Sequence, residues 1–189
     1  MTAEELYREI EKYSPVNEQE EHDRKVILRF MADNENAFSR SNLIAHMTAS
    51  AWVVNHDRTK VLLIYHRIFN SWTWTGGHAD GETDLLSVAV REVKEETGVK
   101  NVFPITDEIY SLEVLTVDGH EKRGEYVTGH LHLNLTYLLE ADENDELKFK
   151  EDENKGAGWF PLEDVYKVST EPWFNERIFS KLNAKLESF

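Results

Sequence analysis

Two helices are predicted at the start of the chain, because apolar residues recur there at helical spacing. The first set consists of Leu6, Ile10 and Tyr13. Pro15 ends that segment, and a second helix begins at Asn17, with Glu20 three residues later as a capping-box partner. Together they predict a helical extension over residues 1–45. It could cover a sheet, form a homodimer contact or overhang a substrate, and the first role is the simplest.

Beyond the extension, shorter and denser apolar runs predict strands. Ala51–Val54 and Val61–Tyr65 flank a polar turn, and their apolar density indicates strands that are buried on both sides. We therefore place a single domain over residues 46–189.

Two further strands are predicted over Ile109–Val117 and Tyr126–Leu139, with the polar turn Asp118–Gly124 between them. Strict alternation in the second strand places three polar side chains on one face, namely His130, His132 and Asn134. Such a row either faces solvent or lines a pocket, and both alternatives stay open. In a pocket, His78 would have polar company.

A glycine-rich loop followed by a charged helix carries the strongest chemical signal. The loop reads Gly76-Gly77-His78-Ala79-Asp80-Gly81-Glu82. At about 100° per residue, the helix places Glu92, Glu95 and Glu96 on one face. The residues of its adjoining apolar face are Leu86, Ala89, Val90 and Val93. Three like charges on one face repel one another, so we expect a hard divalent cation such as Mg²⁺ to compensate them.

This stretch resembles the signature of the Nudix hydrolases. Every specified position from Arg91 to Val99 matches the pattern Arg-Glu-aliphatic-x-Glu-Glu-x-Gly-aliphatic, and the spacing from Gly77 to Arg91 fits. Glu82 departs from the pattern, because Thr83 stands where the family has its first glutamate. A shorter loop and an earlier helix start would explain this offset and would put Glu82 at a helix N-terminus.

The resemblance implies an α/β/α sandwich around a mixed β-sheet, and a metal-dependent hydrolase. Its reaction would be water attack at one phosphorus of a diphosphate linkage, in a nucleoside diphosphate derivative or a related small molecule. Glu92, Glu95 and Glu96 would hold Mg²⁺, with Mn²⁺ as an alternative. The backbone carbonyl of Gly77 would add an oxygen ligand, since glycine allows a close approach to an ion.

The resemblance also suggests catalytic roles outside the metal ligands. Arg91 would orient a glutamate through a salt bridge. The general base is left open between Glu92 and Glu153, because family members place it either in the helix or on a distant loop. Glu153 precedes the segment Gly158–Leu162, which resembles the Trp-containing strand and Pro-Leu helix start found near Nudix C-termini.

The remaining candidates concern the substrate and the C-terminal third. We take His78, His130 and His132 as substrate-binding candidates. Trp74 could stack on a nucleobase, although packing in a core is the favoured interpretation for Trp72 and Trp74. Three C-terminal features are an acidic, solvated linker over Asp142–Asp152, a short helix over Leu162–Tyr166 and a long helix over Pro172–Leu186.

Composition narrows the class of partner. The 189 residues are 40% hydrophobic and 11% aromatic, which indicates a folded globule. A net charge of −15 argues against binding to nucleic acid polymers or anionic membranes, whereas a small diphosphate accompanied by a metal ion remains compatible. The chain has no cysteine, so it has neither a disulfide nor a thiol nucleophile. Without a signal peptide or an apolar span at its N-terminus, we expect a cytoplasmic protein.

Two other functions share the implied scaffold. An isopentenyl-diphosphate isomerase also binds a diphosphate through Mg²⁺, but that family uses a cysteine, which this chain lacks. A non-catalytic nucleotide-sensing module would keep the fold, but it would not need the intact set of helix carboxylates. The sequence favours the hydrolase over both.

Overall fold

The computed structural model describes residues 1–122, 124–151 and 153–189. Arg123, in the predicted polar turn, and Asp152, in the predicted acidic linker, lie outside these residues. The helices are Ala3–Lys12 (α1), Glu18–Asp33 (α2), Leu85–Thr97 (α3), Val165–Val168 (α4) and Ser180–Leu186 (α5), with a 3-10 turn at Leu162–Asp164 and a π-helical segment at Phe174–Phe179. The strands are Ala45–Val54 (β1), Lys60–His66 (β2), Ser71–Thr73 (β3), Thr75–His78 (β4), Val102–Pro104 (β5), Ser111–Val117 (β6), His120–Lys122 (β7), Glu125–Val127 (β8), His130–Ala141 (β9) and Asn154–Pro161 (β10).

The strands build one large mixed sheet and one small ribbon. The large sheet follows the order β10-β2-β1-β9-β5, with β3 added to β2, β4 to β1 and β6 to β9. The ribbon consists of β7 and β8. This arrangement confirms the predicted α/β class. It also confirms that β1 is buried on both sides, since all ten of its residues are buried.

The chain divides into two compact units. The first comprises Met1–Ser50, Gly76–Ala89 and Asp107–Tyr137, and the second comprises Ala51–Thr75, Val90–Thr106 and Leu138–Phe189. The strands β1 and β9 and the helix α3 contribute residues to both units. Each unit contains one of the two side-chain groups described in the next section.

In the first unit, the second N-terminal helix begins where the sequence predicts. Asn17 caps α2 by accepting a hydrogen bond from the Glu20 backbone N–H at 2.9 Å. The Glu20 carboxylate reaches back to the start of the helix and accepts from the Val16 N–H at 2.9 Å, while the reciprocal bond to the Asn17 N–H stays a prediction. Glu20 is fully buried and also accepts a hydrogen bond from Ser111 in β6 at 2.9 Å.

The same unit pairs β6 with β9 in an antiparallel register from Ser111↔Thr136 to Val117↔His130. α2 packs against β6, where Asp23 accepts a hydrogen bond from the Val114 N–H at 3.1 Å. Covering a sheet strand was the simplest of the three roles considered for the extension. The predicted strand Tyr126–Leu139 is wrong as a single element. It breaks at Gly129, where an added Cβ would lie 3.3 Å from the Val117 carbonyl oxygen.

In the second unit, β2 pairs with β3 and β10, and aromatic residues form much of the packing. The rings of Trp52 and Phe179 stack with centroids 5.4 Å apart. The predicted long C-terminal helix is confirmed, since residues 172–186 are helical throughout, with a π-helical segment over Phe174–Phe179 before α5 begins. Within the described parts of the chain, no helix is both long and apolar enough to cross a bilayer.

Candidate functional site

The helix α3 presents its glutamates at three different depths. The Glu96 residue is 3% exposed, whereas the side chain of Glu92 is 17% exposed and that of Glu95 is 50% exposed. The buried apolar residues of α3 are Leu85, Val88, Ala89 and Val93. The predicted apolar face is therefore partly wrong. Leu86 and Val90 are only half-buried, because the helix turns Leu85 and Val88 inward.

Asn154 holds the buried glutamate. Its Nδ2 donates to Glu96 Oε1 at 3.1 Å, and both residues are buried. The Oδ1 atom of Asn154 has no hydrogen-bond partner among the described residues. Nothing in the sequence around Asn154 singles it out, although it adjoins the candidate Glu153. A buried amide oxygen without a partner is costly, so this atom is expected to face a water or a cation when the protein is in solution.

Arg91 lies beside the more exposed glutamates. Its Nη2 is 3.9 Å from Glu92 Oε1, and its Nε is 4.0 Å from Glu95 Oε1. These long, partly exposed ion pairs are worth little stability by themselves. The orienting role that the resemblance implies for Arg91 stays a prediction.

The pKa of Glu92 is raised above its ordinary value. Burial is the main cause, because it disfavours the charged carboxylate, and the nearby charge of Glu95 adds to the effect. Arg91 and Lys150 oppose the shift, and Glu153 reinforces it. Glu153 itself pairs with Lys150 at 3.0 Å. Both candidates for the general base therefore lie within one electrostatic neighbourhood of the second unit.

The donor set of this neighbourhood suits a hard cation. Three carboxylates lie on one helix, and the amide group of Asn154, whose oxygen has no hydrogen-bond partner among the described residues, adjoins Glu96. Mg²⁺ and Mn²⁺ prefer such oxygen ligands. We call Glu92, Glu95, Glu96 and Asn154 the carboxylate site.

The glycine-rich loop belongs to the first unit, and its glycines have different roles. At Gly76, an added Cβ would lie 2.5 Å from Ser50 Oγ and 2.7 Å from the Ala49 carbonyl oxygen, so close packing of β4 on β1 requires glycine there. Gly81 adopts a φ of 95°, in the region that favours glycine. The metal-ligand role of the Gly77 carbonyl stays a prediction.

Glu82 does not lie at a helix N-terminus, and this part of the sequence prediction is wrong. α3 begins at Leu85, and Asp84 caps it by accepting from the Ser87 N–H at 3.2 Å. Glu82 is exposed in the preceding turn, where its N–H donates to the Ala79 carbonyl at 2.9 Å. The left-handed residues Asp80 and Gly81 bend the chain, and this turn takes up the residues that were assigned to the helix.

A second group of side chains lies in the first unit. It consists of His46, His78, His130 and His132, and one ring nitrogen from each lies within 4.8 Å of the others. The ring centroids of His78 and His132 are 4.9 Å apart, which confirms that His78 has polar company. His46 was not singled out from the sequence, because nothing in its local pattern distinguishes it from other strand residues. We call these four residues the histidine cluster.

The polar row of β9 divides between two environments. His130 and His132 join the histidine cluster, whereas Asn134 is buried and accepts hydrogen bonds from Thr48 at 3.0 Å and Ser50 at 2.8 Å. Asn134 also donates to the buried Glu113 at 3.0 Å. The inner end of the row is therefore part of a hydrogen-bonded core, and only its outer end is available to a ligand.

Trp74, a substrate-binding candidate, is 6% exposed. Its ring contacts Phe174 and Phe179 edge-on, with centroids 6.0 and 5.9 Å away. This is the core packing that the sequence analysis favoured for the tryptophans. Trp72 likewise packs against Tyr65 and Phe160. Contacts with neighbouring aromatic rings therefore explain the positions of both tryptophans without a role in base stacking.

Comparisons with known proteins point to the family that the helix motif suggests. Human and Xenopus laevis proteins named "Nucleoside diphosphate-linked moiety X motif 6" are 36% identical over 62 residues and 42% identical over 53 residues. These matches cover 31% and 27% of this chain, which spans only 20% and 24% of those relatives. Matches of this length do not show that the chain has the activities of those longer proteins.

Two solved structures are similar in fold. A C. elegans Ap4A hydrolase in a binary complex has a TM-score of 0.56 at 22% identity, covering 76% of this chain and 98% of its own. A Nudix-family hydrolase from Clostridium perfringens has a TM-score of 0.53 at 22% identity, with coverage of 76% and 97%. The sequence profile described as the NUDIX domain matches residues 45–182. Since this match includes most of the chain, the protein belongs to the Nudix family of hydrolases.

Proposed function

We propose that the protein hydrolyses a diphosphate linkage in a small nucleoside diphosphate derivative, in a reaction that depends on Mg²⁺ or Mn²⁺. The observation that carries this proposal is the carboxylate site. Glu96 is buried yet held by Asn154, and the neighbouring amide oxygen has no partner among the described residues. A carboxylate buried in this way is better explained by a cation ligand than by a solvated helix face.

The residues that would hold the cation are Glu92, Glu95 and Glu96, with the Gly77 carbonyl as a further predicted ligand. When bound, a divalent ion offsets the charge of the diphosphate and lowers the pKa of a coordinated water. Asn154 would keep the Glu96 carboxylate in one orientation through its amide N–H. Arg91 would limit the repulsion between Glu92 and Glu95, because its guanidinium lies near both.

Glu92 is our first candidate for the general base. Its side chain remains partly exposed, so a reacting water can reach it. Glu153 is the second candidate, and its carboxylate is paired with Lys150 at 3.0 Å. A glutamine variant at each position separates them, because only the base variant should abolish the acid limb of the pH–rate profile.

The substrate class rests on the family and on the names of relatives. The human and Xenopus laevis relatives are named for a nucleoside diphosphate-linked moiety, and one structural neighbour is an Ap4A hydrolase. A nucleoside diphosphate linked to a second group is therefore the proposed class. Contacts to the substrate from His78, His130 and His132 stay a prediction, and the geometry of their rings supports a different role, which is argued below.

The test is a substrate panel with a matched inactive variant. Nucleoside triphosphates, nucleotide sugars, dinucleoside polyphosphates and ADP-ribose are incubated with Mg²⁺ or Mn²⁺, and released phosphate or pyrophosphate is measured. We expect hydrolysis of at least one class, no turnover after chelation, and loss of turnover in Glu96→Gln. A folded protein that binds nucleotides but hydrolyses none would instead support the non-catalytic sensing module.

A further inference from the structure

The histidine cluster has the composition of a transition-metal site. It offers four imidazole nitrogens, and the described groups that converge there include no carboxylate ligand. Imidazole suits Zn²⁺, Cu²⁺, Ni²⁺ and Fe²⁺, whereas Mg²⁺ and Ca²⁺ prefer oxygen. The cluster and the carboxylate site therefore differ in the ions that they should select.

The spacing of the nitrogens fits a common central ion. His130 Nε2 and His132 Nε2 are 3.1 Å apart, close to the ~3.3 Å that separates two ligands in a tetrahedron with zinc–nitrogen bonds of about 2.0–2.1 Å. All four ring nitrogens lie within 4.8 Å of one another, so small side-chain shifts would bring them into one coordination sphere. The four residues lie on β1, β4 and β9, which are strands rather than flexible loops.

Backbone carbonyls orient two of the rings for metal binding. His46 Nδ1 lies 3.2 Å from the Asn42 carbonyl oxygen, and His130 Nδ1 lies 2.9 Å from that of Thr128. In each neutral ring, Nδ1–H then donates to the carbonyl and Nε2 keeps its lone pair. This is the outer-shell arrangement that metal-binding histidines commonly show.

A second, independent observation is the Nε2 atom of His46. The His46 residue is 4% exposed, and this atom has no hydrogen-bond partner among the described residues. A histidine that served only to fill the core would bury a lone pair at a cost in free energy. The His46 ring centroid lies 5.1 Å from that of His78, 4.9 Å from that of His130 and 5.1 Å from that of His132, and an ion among these rings would satisfy the nitrogen.

Two alternatives explain the cluster less well. An anion site would need protonated rings, but burial lowers the pKa of His132 to about 2 and also lowers the pKa of His46. These two rings, when neutral, attract no phosphate, and the neutral form of histidine is the one that binds metals. A purely hydrogen-bonded cluster would account for the contact between His130 and His132, but it leaves the His46 nitrogen unexplained.

We propose that His46, His78, His130 and His132 bind one divalent transition-metal ion, with Zn²⁺ as the representative, at a site separate in ligand chemistry from the carboxylate site. The proposal does not rest on the hydrolase activity. It predicts that Zn²⁺ binds even when Mg²⁺ is present in large excess, because oxygen and imidazole ligands select different ions.

The experiment titrates Zn²⁺ into the metal-depleted full chain by calorimetry, with saturating Mg²⁺ throughout. We expect one equivalent to bind. His78→Gln and His130→Gln, at partly exposed strand positions, should each weaken Zn²⁺ binding by at least about 100-fold, since loss of even an outer-shell partner costs about 10–100-fold. His22→Gln is the matched control, because its side chain is 70% exposed on α2. It should bind Zn²⁺ as the wild type does.

A measurement on the wild type covers the case in which a variant fails to fold. In a ¹⁵N-resolved spectrum of the histidine side chains, Zn²⁺ should change the ring signals of four of the eight histidines. Absence of saturable Zn²⁺ binding in Mg²⁺ would overturn the proposal. So would unchanged affinity in folded His78→Gln and His130→Gln, or loss of the Zn²⁺ site in Glu96→Gln, which would assign the zinc to the carboxylates.

Discussion

The carboxylate site and the histidine cluster are both suited to cations, but the sequence encodes them in opposite ways. Glu92, Glu95 and Glu96 lie within one short segment, and a helix brings them to one side through its own repeat. The four histidines come from three strands that are far apart in sequence, and only strand pairing assembles them. A local sequence motif therefore predicts the carboxylate site, whereas the histidine cluster is recognised only in the tertiary structure.

The two groups also differ in what surrounds them. The carboxylates have cations nearby, with Arg91 and Lys150 opposing the charge on Glu92. Burial lowers the pKa of His46 and His132, and backbone carbonyls orient the rings of His46 and His130. The carboxylate site is therefore a set of negative charges partly balanced by nearby cations, whereas the histidine cluster offers the lone pairs of imidazole nitrogens. The following predictions test this distinction, from the largest effect to the smallest.

Glu95→Gln and Glu96→Gln should each lower turnover by at least about 100-fold, because each removes a charged metal ligand without changing side-chain volume. Steady-state rates with Mg²⁺ measure the effect, and circular dichroism checks folding. Glu146→Gln is the control, since its side chain is 81% exposed. Full activity in either helix variant would remove the metal-site assignment.

Asn154→Ala should lower turnover by about 10–100-fold, because Glu96 loses the amide N–H that orients it. The buried carboxylate would also lose a partner, at a cost of about 1–3 kcal/mol in the free energy of unfolding. Asn144→Ala, at an exposed position of the 142–152 linker, is the control. An Asn154→Ala protein with the wild-type Mg²⁺ dependence would show that the amide only fills space.

Gly76→Ala should lower the free energy of unfolding by about 1–3 kcal/mol, because the new methyl group would press on the Ala49 carbonyl and Ser50 Oγ. Denaturant unfolding measures the loss. Gly124→Ala provides the contrast, since its φ is 83° but nothing lies within 4 Å of an added Cβ. If only Gly124→Ala destabilised the protein, backbone conformation rather than strand packing would explain the glycines of this chain.

Asp84→Ala should cost about 1 kcal/mol of stability, because α3 loses its N-terminal cap. Glu82→Gln should cost almost no stability and less than about tenfold in turnover, since Glu82 is exposed in the turn before the helix. Thermal unfolding and steady-state rates measure the two effects. A hundredfold loss of turnover in Glu82→Gln, without loss of stability, would give Glu82 the role of the family's first glutamate.

Glu9→Gln should have the smallest effect on stability. It tests how neighbouring carboxylates act on one another at a position where no metal ion is proposed. Burial raises the pKa of Glu9, and the charges of Asp84, Glu5 and Glu108 add to the shift. The folded state therefore binds this proton more tightly than the unfolded state, so wild-type stability falls as pH rises above about 4.5.

The Glu9→Gln variant cannot ionise at this position, so it does not lose stability in this way as pH rises. It should be more stable than the wild type at about pH 8 and no more stable at about pH 4. The gain should stay within about 0.5 kcal/mol, because solvent screens a carboxylate that is only partly buried. Denaturant unfolding at the two pH values gives the difference, and a gain that is larger at the acid pH would contradict the sign of the shift.

The sequence by itself determined those features that depend on neighbours along the chain. The helical repeat put the three glutamates on α3, Asn17 marked the start of α2, and the dense apolar run around Trp52 indicated a buried strand. These features follow from local backbone geometry. The local prediction was wrong at Glu82, because α3 begins only after the left-handed residues Asp80 and Gly81. A contact with a distant residue accompanies this turn, since the Gly81 N–H donates to the Phe38 carbonyl.

Only the tertiary structure decided which distant residues meet. It placed Asn154 against Glu96, brought the Glu20 carboxylate to Ser111, and brought His46 to the histidines of β9. None of these contacts produces a periodic pattern in the sequence, since each joins segments whose separation along the chain is arbitrary. Strand pairing and burial set such contacts, and their energies depend on the whole fold rather than on a local repeat.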